Sequence, residues 1–253
     1  MPLNVIIAPD TASAFQRAAT FLADHIRGAA HPVLGLATGR TMESIYALLV
    51  SDHQAGKLDF SQLTSFNLDE YVGLSPTDPR SYRHYMQEHL FGHVNMHPEH
   101  VHVPDGTASN LVAECAAYEA AIQNEGGLGL QLLGIGETGH IGFNEPPSAF
   151  DTRTRPVTLD DVTRRQNAAM FGGQPDAVPH TALTMGVGTI LEARELLLVA
   201  TGSSKARIVA EALLGPLTPD ISASAIRLHA NCTVILDHEA AAIWKQQKSA
   251  SNL

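Results

Sequence analysis

A glycine-rich stretch over residues 132–146 contains one histidine, His140, and two carboxylates, Glu137 and Glu145. The apolar residues 130–135 predict a buried strand leading into it, and the glycines allow a sharp turn that approaches a ligand closely. Histidine titrates near neutral pH, so His140 is a candidate for acid or base catalysis. On this stretch alone, a strand-to-helix turn with an incidental histidine explains the residues equally well.

Two further turns have the composition of phosphate-binding sites. Residues 35–41 connect a predicted strand to a predicted helix, where free amides and the helix dipole favour an anion. The donors of this turn would be Thr38, Gly39, Arg40 and Thr41. Residues 202–205 have the same character, and a bound anion would explain Lys205, whose charge opposes the helix dipole. The first turn is neither a Walker loop nor a dinucleotide fingerprint, and ordinary capped turns with a solvated lysine remain the alternative.

Two adjacent acids, Asp69 and Glu70, lie at the end of another predicted strand. Successive residues of a strand point to opposite faces, so we expect one of the two carboxylates to face a cleft. The alternative is a pair of solvated acids in a surface loop, which is common for adjacent charged residues.

Six histidines between positions 84 and 102 raise the question of a metal site. His89, His93 and His97 are four residues apart, as helical metal ligands often are. However, the His-Glu-x-x-His pattern is absent and Pro98 ends any helix in this region. We therefore expect no metal ion in this protein.

Alternating strand and helix patterns predict an α/β fold with a mainly parallel sheet and helices on both faces. Strands are predicted at 4–8, 31–37, 63–68, 101–103, 130–135, 196–201 and 233–237, and helices at 10–27, 41–50, 81–91, 110–123, 181–191 and 205–214. Residues 157–173 are candidates for a mobile cover, and a frayed tail is predicted from residue 245. Ligands bind at the carboxyl ends of parallel strands, where all four turns described above fall, so we expect one shared site.

The composition limits the class of protein. A chain of 253 residues suits one large domain, and a formal net charge of −10 argues against nucleic acid or an anionic membrane as a partner. Two cysteines without metal-type spacing, Cys115 and Cys232, predict a reducing, cytoplasmic location. The N-terminal residues lack the features of a signal peptide, and no run reaches the roughly 20 apolar residues of a membrane helix.

The chain resembles the bacterial glucosamine-6-phosphate deaminases, also called isomerases, over nearly its whole length. The segments that carry the resemblance are 34–39, 66–74, 139–146, 182–190 and 202–206. The related 6-phosphogluconolactonases share the Gly-His turn but continue differently, so the run Phe143-Asn144-Glu145-Pro146 favours the deaminase branch. The resemblance implies a modified Rossmann-like fold over a single domain, 1–253, a phosphorylated aminosugar as substrate and no metal or organic cofactor.

The resemblance also implies a reaction and a role for each candidate residue. Glucosamine 6-phosphate and water would give fructose 6-phosphate and ammonia. His140 would carry protons while the sugar ring opens, with Glu145 orienting its imidazole. Asp69 would move a proton from C2 to C1, forming an enolamine that loses ammonia. Residues 38–41 and Lys205 would hold the 6-phosphate, and residues 159–179 would form a lid.

Three positions depart from the family pattern. Thr138, which we include in the catalytic set, stands where many members carry Asp or Asn. Ala169 stands where some members have a phosphate-binding lid arginine, and we hypothesise that Arg40 compensates for its absence.

Galactosamine-6-phosphate deaminase, 6-phosphogluconolactonase and a non-catalytic sugar-phosphate sensor remain alternative functions. The sequence leaves open whether the chain forms a homo-oligomer.

Val157 occupies the position of a lysine found in allosterically activated members, although Arg155 is kept. A valine cannot bind the phosphate of an effector. We therefore predict that N-acetylglucosamine 6-phosphate does not activate the enzyme. Steady-state rates measured over a range of substrate concentrations, with and without this compound, check the prediction. A clear rise in rate, or the loss of a sigmoidal substrate dependence, would contradict it.

Overall fold

A computed structural model of the protein describes residues 3–250. Its strands are β1 (Asn4–Ala8), β2 (Val33–Leu36), β3 (Thr64–Asn67), β4 (Asp69–Tyr71), β5 (Val101–His102), β6 (Leu130–Leu133), β7 (Arg155–Thr158), β8 (Thr181–Thr184), β9 (Leu196–Ala200) and β10 (Cys232–Asp237). Its α-helices are α1 (Thr11–Gly28), α2 (Arg40–Gln54), α3 (Tyr82–His89), α4 (Leu111–Asn124), α5 (Asp161–Asn167), α6 (Val187–Leu191), α7 (Ala206–Leu214) and α8 (Ala242–Ala250).

Seven strands form one sheet in the order β1, β10, β9, β6, β2, β3, β5, and every neighbouring pair is parallel. Consecutive residues of β2, β6, β9 and β10 are all buried, so both faces of the sheet are covered. The predicted α/β fold with a mainly parallel sheet is confirmed.

The strand order changes direction between β2 and β6. The chain builds outward from β2 through β3 to β5, then returns to place β6 on the other side of β2 and continues to β9 and β10. The loops that follow β2 and β6 therefore leave the sheet in opposite directions and open a crevice between them, which is where such sheets bind ligands.

Side-chain caps that are visible in the sequence set the start of three helices. Asp10, Ser81 and Asn110 accept hydrogen bonds from backbone amides in the first turns of α1, α3 and α4, respectively. The C-terminal segment differs from our expectation of a frayed tail. It continues as α8, whose Trp244 is buried, so packing stabilises a helix that local signals do not predict.

The predicted helix at 181–191 is wrong in its first half. Residues Thr181–Thr184 form β8, which pairs antiparallel with β4 and β7 in a second sheet, and only Val187–Leu191 is helical. Short apolar runs do not distinguish a buried strand from a helix, and here the partner strands decide. The second sheet fixes β4, which begins with the candidate acid Asp69.

The segment predicted as a lid packs onto a hydrophobic cluster that is separate from the main core of the protein. It contains α5 and two short 3₁₀ helices, Ala168–Phe171 and Pro175–Ala177. The cluster members are Tyr71, Tyr82, Phe143, Leu159, Ala168, Phe171, Val178 and Ala182. Movement of this segment stays a prediction, as does the single-domain boundary. Among the described residues, no helix is long and apolar enough to cross a membrane.

Gly186 lies where the chain turns from β8 into α6. A Cβ atom at this position would lie 2.0 Å from the backbone oxygen of Thr152. We predict that Gly186→Ala lowers the free energy of unfolding by about 3 kcal/mol, because backbone atoms must shift to relieve the overlap. Gly28→Ala is the matched control, since a Cβ atom at Gly28 meets nothing within 4 Å. Chemical denaturation of both variants checks the prediction, and equal stabilities would contradict it.

Candidate functional site

The loops after β2, β6 and β9 bring four charged or titratable side chains together at the crevice. The charges of Arg40 and Glu137 both act on the pKa of Lys205, and the charge of Lys205 acts on the pKa of His140. These residues come from three separate loops, so the sheet order is what unites them. The shared site expected from the sequence therefore has a physical basis in the fold.

The turn after β2 is built to leave backbone donors free. Gly39 is the N-cap of α2 with a φ of 107°, and no side chain caps this helix. The first amides of a helix have no partner within the helix, so an anion could accept their hydrogen bonds. The carbonyls of the same turn are occupied: Tyr46 donates to Ala37 O at 2.5 Å and Tyr85 to Gly39 O at 2.9 Å.

The turn after β9 offers fewer free backbone amides to an anion than the sequence suggested. The amides of Gly202 and Ser203 already donate to the carboxylates of Asp237 and Glu239, at distances of 3.0 to 3.1 Å. An anion at this turn would instead meet the side chain of Lys205, which donates to Ile135 O at 2.8 Å. Burial lowers the pKa of Lys205, while the carboxylate of Glu137 opposes that shift.

His140 is held in a geometry suited to proton transfer. Its Nδ1 atom lies 2.8 Å from the hydroxyl oxygen of Thr138. Burial, followed by the charge of Lys205, lowers the pKa of His140 to about 4, so the imidazole is neutral near pH 7. If Nδ1 donates its proton to Thr138, Nε2 is left as a free base. A Cβ atom at Gly136 would lie 2.1 Å from Nε2, so only glycine leaves room for this ring.

Both adjacent acids are buried, which excludes the solvated alternative, and they point to different partners. Glu70 caps α3 by accepting hydrogen bonds from the amides of Tyr82 and Arg83. The carboxylate of Asp69 faces the loop after β6, where a Cβ atom on Gly142 would lie 3.4 Å from its Oδ2. Burial, and then the charge of Glu70, raises the pKa of Asp69 to about 8, as suits a carboxylate that acts as a base.

The resemblance implied that Glu145 orients the imidazole of His140, but no hydrogen bond joins the two side chains in the described part of the structure. Its Oε2 accepts a hydrogen bond from the amide of Asp160 at 2.6 Å, and its buried Oε1 has no partner within the described part of the chain. Burial raises the pKa of this carboxyl, which the Thr163 hydroxyl partly offsets. In this conformation Glu145 binds the lid segment, and its role in orienting the imidazole stays a prediction.

Asn144 closes the loop that carries these residues, and sequence analysis named it only as a neighbour of Glu145, not as a site residue. Its side-chain amide donates to Ile141 O and Met185 O, and its oxygen accepts from Arg155. The side chain thus ties the loop after β6 to the second sheet. Its place beside Glu145 was the available signal. Tyr85 donates to the carbonyl of Gly39 in the turn after β2, and nothing in the sequence except its position in a predicted helix indicated this role.

The histidines between 84 and 102 do not form a metal site. Across residues 3–250 of the structure, no group of three or more His, Cys, Asp or Glu side chains is placed to hold a metal ion. His93 bonds to Glu88 O, and His102 stacks on Phe66 with ring centroids 4.4 Å apart. Metal-independent chemistry stays a prediction.

The chain is similar to known proteins in both sequence and structure. A model of the family described as glucosamine-6-phosphate isomerases/6-phosphogluconolactonase matches residues 9–235. Glucosamine-6-phosphate deaminase 2 of Bacillus subtilis is 46% identical over 250 residues, which cover 98% of this chain and 99% of the relative. The glucosamine-6-phosphate deaminase of Rhodopirellula baltica is 50% identical over 244 residues, with coverages of 95% and 97%.

Solved structures show the same fold. A monomeric glucosamine-6-phosphate deaminase superposes with a TM-score of 0.92 at 44% identity, covering 95% of this chain and all of its own. The 6-phosphogluconolactonase of Trypanosoma cruzi superposes with a TM-score of 0.74 at 19% identity, covering 95% of this chain and 97% of its own. The latter similarity is evidence for the fold alone.

Asp69→Asn separates catalysis from stability. Asparagine cannot accept the proton, so we expect kcat to fall by about 10²- to 10⁴-fold. Burial raises the pKa of this carboxyl from 3.8 to about 8 on folding, so wild-type stability falls as the pH rises between these values. Relative to wild type, the variant should gain stability from about pH 4 to about pH 8. Denaturant unfolding at both pH values tests this, and a difference that does not change with pH would contradict it.

Proposed function

Since the chain belongs to the glucosamine-6-phosphate isomerase and 6-phosphogluconolactonase family, we propose that it is a glucosamine-6-phosphate deaminase. It isomerises and deaminates glucosamine 6-phosphate to fructose 6-phosphate and ammonia. The observation that carries this proposal is the pairing of a buried, basic carboxylate, Asp69, with a neutral imidazole, His140, beside an anion-binding turn. An aldose–ketose isomerisation needs these groups, and the turn would hold the phosphate.

The phosphate anchors the substrate. The free amides at the start of α2, the guanidinium of Arg40 and the ammonium of Lys205 bind the 6-phosphate. Holding this end fixes C1 and C2 of the sugar relative to the catalytic groups, so binding energy is used for orientation. Thr38 and Thr41 add hydroxyl donors at the two ends of the turn.

Ring opening uses His140. Its free Nε2 accepts the proton of the anomeric hydroxyl and returns a proton to the ring oxygen, so the C1–O5 bond breaks and the aldehyde forms. Because its pKa is lowered, the imidazole is unprotonated before the reaction begins. The hydroxyl of Thr138 holds Nδ1 and so fixes the orientation of the ring. A hydroxyl supplies no charge to stabilise the imidazolium, in contrast to the Asp of other members.

Isomerisation uses Asp69. In its ionised form Asp69 removes the proton from C2 of the open-chain sugar while the ammonium group of the substrate protonates O1, which gives an enolamine, and Asp69 then delivers its proton to C1. The product is an imine at C2, and water hydrolyses it to the ketone of fructose 6-phosphate and ammonia. One base can serve both carbons because they are adjacent, and burial keeps water from competing for the proton.

The remaining partners follow from this reaction. The substrate is a small phosphorylated aminosugar, and the cytoplasmic location that we propose agrees with it, because sugar phosphates are metabolised there. A similar solved structure is that of a monomeric glucosamine-6-phosphate deaminase, which supports a site formed within one chain. Whether chains associate further is a separate property.

Product release tests the function. Purified protein is given glucosamine 6-phosphate and, in parallel, galactosamine 6-phosphate, and ammonia and fructose 6-phosphate are measured. We expect rapid release of both products from the gluco substrate. Turnover of only the galacto epimer would move the function to a sister pathway with the same chemistry. Binding without turnover of either sugar would favour the sensor, and Asp69→Asn controls for contaminating activity.

Arg40→Ala tests the phosphate anchor. Arg40 is exposed, and its charge acts on Lys205. We predict that the variant raises KM for glucosamine 6-phosphate by about 10-fold with kcat nearly unchanged, because one charged donor is lost. Arg17→Ala removes an equally exposed guanidinium from α1 and is the control. An unchanged KM in the Arg40 variant would disprove the compensation.

A further inference from the structure

A hydrogen bond between two side chains joins the lid segment to the loop that carries His140. Gln166, near the end of α5, donates from Nε2 to Oε2 of Glu137 at 3.0 Å. Glu137 is exposed and Gln166 is half-buried. The bond therefore connects an exposed carboxylate on the loop after β6 with a neutral amide on the lid segment.

Glu137 also lies close to the cations that bind phosphate in our proposal. Its charge raises the pKa of Lys205, against the effect of burial, and Arg40 lowers it. In the described part of the structure no ion pair within 4.0 Å joins Glu137 to Lys205, and the Lys205 ammonium instead donates to Ile135 O. Glu137 is thus a counter-charge to the site and leaves the Lys205 ammonium accessible.

A phosphate dianion at Lys205 and Arg40 would bring two further negative charges close to Glu137. Like charges at short range raise the free energy of the complex, and an exposed carboxylate relieves it most easily by turning into solvent. That movement breaks the bond to Gln166. The amide of Gln166 carries two N–H donors, and it remains on the lid, facing the anion that has taken the place of the carboxylate.

We propose that Glu137 and Gln166 determine the affinity of the phosphate site. Glu137 is a counter-charge that substrate must displace, and Gln166 is a positioning residue whose amide passes from Glu137 to the phosphate. This inference rests on the proposed function, in which Lys205 and Arg40 bind the phosphate. In this arrangement the lid supplies an uncharged hydrogen-bond donor to the phosphate. The carboxylate of Glu137, which lies by the empty site, weakens phosphate binding.

The two variants have opposite expected effects. Glu137→Gln removes the charge and keeps the shape, so KM for glucosamine 6-phosphate and the inhibition constant of inorganic phosphate should both fall about fivefold. Gln166→Leu removes the donor, so both constants should rise about fivefold, with kcat changed less than about twofold. Glu88→Gln, which removes an exposed carboxylate from α3, is the charge-matched control and should change neither constant. Gln166→Ala repeats the test should leucine disturb the lid.

The results separate this inference from the proposed function. If wild type turns over substrate but Glu137→Gln leaves both constants unchanged or raises them, the counter-charge is disproved. If the Gln166 variants lower KM and the inhibition constant, Gln166 only holds the lid in the substrate-free protein. The proposed transfer of its amide from Glu137 to the phosphate is then disproved. If wild type neither turns over the substrate nor is inhibited by phosphate, the proposed function itself fails. Circular dichroism of each variant confirms that it is folded.

Discussion

The burial of the Asp69 carboxylate is the constraint on which the rest of the site depends. Placing an acid in the interior is costly unless it becomes protonated, and the raised pKa of Asp69 is the consequence. The second sheet holds the residue there, since β4 pairs with β8 and prevents Asp69 from turning outward. The cost is useful to an isomerase, because the same burial makes the carboxylate a stronger base.

Glu70, the neighbouring acid, shows how one short strand serves two purposes. It is buried as well, but three backbone amides donate to its carboxylate, whereas among residues 3–250 no hydrogen bond to the Asp69 carboxylate is formed. By capping α3, it fixes the helix from which Tyr85 ties Gly39 O in the phosphate turn. The proposed base and the proposed phosphate anchor are therefore positioned from adjacent residues of β4, although in our proposal they act on opposite ends of the sugar.

Two acids of the loop after β6 join that loop to the segment predicted as a lid. Glu145 accepts the amide of Asp160, and Glu137 accepts the side chain of Gln166. Aromatic packing completes the contact, with the rings of Phe171 and Tyr71 5.3 Å apart. Charges in the site and the position of the cover are thus physically linked, so a change of charge at the site also acts on the cover.

The sequence by itself determined the parallel sheet and indicated the candidate residues. Alternating patterns predicted the parallel sheet, and the glycine turns at strand ends located the candidate residues, because strand direction places those turns at one edge. Tertiary structure decided what local pattern cannot encode. It made residues 181–184 a strand through their partners, sent Glu145 to the lid, and used the amides at 202 and 203 on carboxylates. These outcomes depend on contacts between residues distant in sequence, and no periodicity records such contacts.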